Sequence, residues 1–131
     1  MKLEVLVTTM HQSDFDKFSQ MNLQTDAIIA NQTDKNEYTE TNIDGCTVKL
    51  VSTDSIGISR NRNIALAYSN QKSDYVLFAD DDLVFVDGYE KKIMEEFERY
   101  PKAEAIKFNL SDLSTKRKIS MKAIDKFEKA T

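Results

Sequence analysis

Glycine, cysteine, histidine and proline are all scarce in this chain: 131 residues hold three glycines and one each of the other three. With glycine only at 45, 57 and 88, neither a G-x-G-x-x-G fingerprint nor a Walker loop can be written, so those two nucleotide-binding motifs are excluded. Cys46 stands alone, which rules out an internal disulfide and suits a buried or turn thiol in a reducing compartment. No base pairs with it in the sequence, so it reads as structural. His11 and Cys46 together are too few ligands for a zinc site. No apolar run approaches membrane-spanning length, and the opening MKLEVLVTTM, interrupted by Glu4, lacks a signal-peptide core. A cytoplasmic protein is therefore expected.

What the chain does contain suits one domain with one modest core: 40% hydrophobic and 31% charged residues. The net charge of -4 is uneven. Residues 116–131 carry six Lys/Arg against two acids, so the preceding part sits near -8. An acidic body with a short basic tail argues against nucleic-acid binding. It leaves a basic segment able to lie against the inner face of a membrane.

LEVLVTT at 3–9 is a nearly continuous apolar strand, as in a sheet covered on both faces. SDFDKFSQM predicts a short helix capped by Ser13, and DAIIAN a second strand. QTDKNEYTETN reads as a polar loop and CTVKLVST as a third strand. GISRNRNIALAYSN predicts a helix with Ile58, Ile64, Ala65 and Leu66 along one side. YVLFAD, the most apolar strand, is expected at the centre of the sheet, with Phe78 and Phe85 in the core. DGYEKKIMEEFERYP predicts a helix ended by Pro101. AEAIKFNL reads as a fifth strand, and STKRKISMKAIDKFEKAT as a last helix or tail. Strands joined by helices imply an α/β fold: a mostly parallel central sheet with helices on both faces.

Ligands of such folds bind at the carboxyl ends of the strands. Those ends read TTMH (8–11), NQTD (31–34), STDS (52–55) and DDD (80–82). Continued strand alternation would put Asp80 and Asp82 on one side and Asp81 on the other. Two carboxylates on one side can hold Mg²⁺ or Mn²⁺ together with a phosphate-bearing ligand. A helix cap with a solvated turn is the equal alternative. Arg60, Arg62 and Asn63, after Gly57 at a helix start, can grip phosphate or form surface ion pairs. His11 can meet a ligand or be a plain loop residue. Asn31 and Asp34 can meet a base or ribose, or form an Asx turn.

From Lys2 to Leu110 the chain resembles the nucleotide-binding half of the family 2-type inverting glycosyltransferases, which have the GT-A fold. VLVTT and GISRNRNIALAYSNQKSDYVLFADDDLVF carry the resemblance. In that family a Gly–Ser–Arg–Asn helix precedes a strand ending in Asp-x-Asp. The resemblance implies that Asp80 holds the nucleotide or the metal shell and that Asp82 ligates Mn²⁺ or Mg²⁺ bridging the diphosphate of a nucleoside-diphosphate sugar. It implies nucleotide contacts at Thr9, Met10, His11, Asn31, Asp54 and Arg62. TTMHQ and NQTD depart from the family's Pro-Thr-Tyr-Asn and Asp-Asp-Gly-Ser, so the resemblance does not name the base.

The resulting expectation is an apparently truncated GT-A chain. Residues 1–115 would form the donor-binding domain. Residues 116–131 would form a basic helix or tail that opens an acceptor-binding half. No catalytic base is assigned: Glu104 and Asp112 lack a supporting motif. The acceptor, whether glycan, lipid or small molecule, is open. The alternative is a non-catalytic nucleotide-binding or interaction module on the same fold.

Overall fold

The computed structural model describes residues 2–70, 73–113 and 116–123. Five strands form the main sheet: β1 (Leu3–Met10), β2 (Asp26–Gln32), β3 (Glu37–Ile43), β4 (Cys46–Thr53) and β5 (Tyr75–Asp80), in the order β3-β4-β2-β1-β5. Only β3 is antiparallel to its neighbour. Helix α1 (Ile58–Ala67) joins β4 to β5. Strand β6 (Leu83–Val84), helix α2 (Tyr89–Arg99), β7 (Phe108–Leu113) and β8 (Lys116–Ala123) follow, and β6-β8-β7 make a second small sheet. The α/β architecture agrees with the sequence.

Strand β1 has partners on both sides and cover on both faces, which explains its unbroken apolar run. Leu3, Val5 and Val7 pack with Ala27, Ile29, Val48 and Leu50 beneath Phe18, Met21, Phe85, Tyr89 and Ile93. Leu6, Ile28, Ala30 and Val51 form the opposite face, covered by Ala65 and Ile64 of α1. The two helices thus lie on opposite faces. Glu4 is buried among these apolar residues, and its carboxylate accepts from Asn70 N–H and Ser73 Oγ, both at 2.6 Å. This ties the end of the α1–β5 connection to β1.

Several expectations are corrected. Residues 13–21 form no helix beyond the 3-10 turn Phe18–Gln20, with no side-chain cap. Phe18 and Met21 are buried all the same, so burial rather than helix propensity holds the segment. The polar stretch read as a loop contains β3. Its turn is Asp44–Gly45, both residues at positive φ (49° and 86°), the two-residue hairpin that Asp-Gly favours. Strand β5 lies at the edge of the main sheet, not its centre. Because α1 lies over β1 and β2, Val76 and Phe78 stay 38% and 46% exposed, whereas Phe85 is buried.

The fifth strand of the sequence reading begins only at Phe108, and 103–107 are irregular. Residues 116–123 form a strand paired antiparallel with β7, not a helix. Ile119, Met121 and Ala123 alternate with Ser120 and Lys122, the period of a strand. Residues 124–131, the rest of the expected helix or tail, lie outside the described residues. Burial, with Asp26, Asp44 and Glu90 nearby, pushes the Cys46 thiol up, in keeping with a structural role.

Tyr89 anchors α2. Its ring is fully buried against Phe85, and its hydroxyl bonds Thr25 Oγ1 and accepts from Gln24 N–H at 3.0 Å. Tyr89→Phe leaves both partners short of a bond and should destabilise the fold by about 1–3 kcal/mol in urea unfolding. Burial, opposed by the hydrogen bonds from Thr25 and Gln24, raises the hydroxyl above its ordinary 10.0. The folded state therefore keeps this proton where the unfolded chain loses it. The associated stability is present below the unfolded value and is lost as pH climbs through the folded one. Tyr89→Phe should flatten that alkaline decline; an unchanged slope would contradict the assignment.

Candidate functional site

A cavity of about 450 Å³ opens at the carboxyl ends of β1, β2 and β5, beside the start of α1. Thr8, Thr9, Met10 and Gln12 line it from β1 and its continuation, and Gln32 from β2. Ile58 and Asn61 contribute from α1, Lys17 from the segment before the 3-10 turn, and Asp80, Asp81 and Asp82 from the end of β5.

Parallel pairing places Asp80 opposite Thr8. Strand β5 ends there, and residues 81 and 82 form a turn. Strand alternation therefore stops, and Asp81 does not face away from the site as expected. Its Oδ2 accepts from Thr9 Oγ1 at 2.6 Å and lies 3.2 Å from Lys17 Nζ. One carboxylate of the triplet is thus neutralised and pinned to β1. Asp80 and Asp82 are exposed and have no cation partner among the described residues. Like charges so close together favour a shared cation.

Helix α1 starts at Gly57, whose φ of 112° is open to glycine but strained for other residues. Gly57 N–H donates to Gln32 Oε1 at 3.0 Å, so the end of β2 positions the helix start. The first turn has no acid and no side-chain cap. At helical spacing Ile58, Asn61 and Ala65 share a face; Asn61 is only 3% exposed, and its Oδ1 has no partner.

Of the residues expected at a site, Thr9, Met10, Asp80 and Asp82 meet in this cavity. The others lie outside its lining, exposed Asp34, Arg60 and Asn63 among them. His11 is exposed at φ 54°, and its N–H donates to Gln32 O. Asn31 is 0% exposed: its Oδ1 accepts from Gln12 N–H, and its Nδ2 donates to Gln12 O and Ser52 Oγ. Both amide hydrogens are engaged in clamping the ends of β1, β2 and β4. Asp54 is exposed in the loop after β4, with its N–H bonded to Asn36 Oδ1. Arg62 is exposed on α1, and Glu104 is exposed far along the chain after α2.

Gln12, Lys17, Gln32 and Asn61 were not singled out from the sequence. Asn61 could have been, because it stands four residues before Ala65 on the apolar side of α1. Lys17 lies in a segment without periodicity, so no pattern marks it.

Residues 20–126 match the Glycosyl transferase family 2 family, and the chain belongs to that family. No curated protein and no solved structure matches it. The parallel sheet, the acidic strand end and the helix beside it are a glycosyltransferase domain of the GT-A type. A glycosyltransferase-type function follows, with a sugar donor and an acceptor. No helix among the described residues is long and apolar enough to cross a membrane.

Asn31→Ala should lower stability by about 1–3 kcal/mol, because the Gln12 N–H and its neighbours lose their buried partner. Urea unfolding checks this. Unchanged stability with lost ligand binding would instead assign Asn31 to the ligand.

Proposed function

We propose that this chain binds the nucleoside-diphosphate part of a sugar donor in the cavity, with Mn²⁺ or Mg²⁺ shared between the triplet and the diphosphate, for transfer with inversion to an acceptor hydroxyl. The observation that carries this reading is the division of labour among the three aspartates. Asp81 is held by Thr9 and Lys17, while Asp80 and Asp82, in the same cavity, have no cation partner among the described residues.

Hard divalent ions take oxygen ligands, and carboxylates combined with phosphate oxygens and water suit them. Among the described residues no three His, Cys, Asp or Glu side chains are grouped to hold a metal by themselves. Oxygens from the diphosphate and water would complete the shell, so cation and donor should bind together. When bound, the cation offsets the charge that develops on the departing nucleoside diphosphate.

Among the described residues the three aspartates are the only acids lining the cavity. In this reading Asp80 and Asp82 hold the cation and Asp81 holds Lys17. The base that deprotonates the acceptor is then none of these three.

Calorimetry with nucleoside diphosphates should give millimolar or tighter binding that requires Mn²⁺ or Mg²⁺. Asp82→Ala should weaken it by about tenfold or more, as expected for a lost charge-assisted ligand. Binding that is indifferent to the metal and to Asp82→Ala would refute the cation's role.

A further inference from the structure

We infer that Asn61 is a binding residue for the nucleoside end of the donor: its Oδ1 accepts a hydrogen bond from a base N–H or a ribose O–H. The inference rests on the proposed donor binding and deepens it by orienting the ligand in the cavity.

Asn61 is 97% buried by its 3% exposure, it lines the cavity, and its Oδ1 is a buried acceptor without a partner. Leaving such an atom unpaired is costly, and alanine at this helical position would be cheaper and a better helix former. An acceptor kept in that state calls for a donor from outside the chain. Diphosphate oxygens ionised near neutral pH, with cations around them, offer acceptors only. The group above Asn61 is therefore not the diphosphate.

Gln32 strengthens the reading. Its Oε1 is held by Gly57 N–H, and its Nε2 makes no hydrogen bond to another described residue, in the same cavity. An acceptor on α1 and a donor on β2 together match the polar edge of a nucleoside. They also provide what Asn31, locked in its clamp, does not. The ligand then runs from α1 and β2, where its nucleoside lies, to Asp80 and Asp82, where its diphosphate lies.

The test is calorimetry in Mn²⁺ with uridine diphosphate, guanosine diphosphate and inorganic pyrophosphate, which carries the phosphate end alone. The wild-type chain should bind its better nucleoside diphosphate about tenfold or more tightly than pyrophosphate, the scale of a satisfied buried polar group. Asn61→Leu should abolish that preference while pyrophosphate affinity holds. Asn61→Asp, which keeps an acceptor oxygen, should retain the preference. Ligand analogues on the wild-type chain decide the donor even where a variant fails to fold. Loss of affinity with N-methylated base identifies the base N–H, and loss with 2′- or 3′-deoxyribose identifies the ribose. A preference unchanged in Asn61→Leu, or no loss with any analogue, overturns the inference and leaves the donor site standing. Asn61→Asp as weak as Asn61→Leu overturns the acceptor role. No binding of any of the three probes to the wild-type chain overturns the donor site and this inference together.

Discussion

Asp81 Oδ2 receives a hydrogen bond from Thr9 and sits beside Lys17, and the shape of the site depends on this junction. It joins the end of the edge strand β5 to the end of its neighbour β1, where the parallel register has already set Asp80 beside Thr8. Without it, three adjacent carboxylates at a strand edge would repel one another and splay into solvent. With it, one charge is balanced and the turn is fixed. The two remaining carboxylates stay in a defined place beside the start of α1. The charge crowding is then relieved within the protein for one group and, in the proposed reading, by a cation at the other two.

The scaffold behind this junction is ordinary packing. Strand β1 is fixed from both faces by α1 and α2 and from both edges by β2 and β5. The clamp made by Asn31 holds the loop after β1 against β2 and β4, and Gln32 holds Gly57 at the start of α1. Each side chain that lines the cavity thus hangs from an element whose position is set elsewhere. The chain belongs to the Glycosyl transferase family 2 family, and ligands of sheets like this one bind at the carboxyl ends of the strands.

Apolar content made β1, β2, β4, α1 and α2 legible in the sequence: β1 and β2 run apolar because both faces are covered, and α2 buries Tyr89 and Ile93 at helical spacing. Strand β3 escaped because its residues are mostly exposed; only the Asp44–Gly45 turn announces it. Strand β8 was hidden because its stretch was read as a last helix or tail, which passed over the alternation through Met121. In the site, Thr9, Asp80 and Asp82 could be found as polar residues ending apolar strands. Asp81 was misjudged because alternation was carried one residue past the end of β5. Asn61 was overshadowed by the charged Arg60 and Arg62, although burial selects the neutral amide. Lys17 depends on tertiary placement that no local signal contains.

The central claim is that Asp80 and Asp82 share a divalent cation with the donor at this strand end. Mn²⁺ broadening of the amide resonances, recorded with a nucleoside diphosphate present, tests it most directly. The account predicts that signals from Thr9, Asp80, Asp81, Asp82 and Asn61 vanish first, while Asp44 and Gly45, at the opposite end of the parallel strands, stay sharp. Broadening centred away from β5, or none until Mn²⁺ is in large excess, would contradict it.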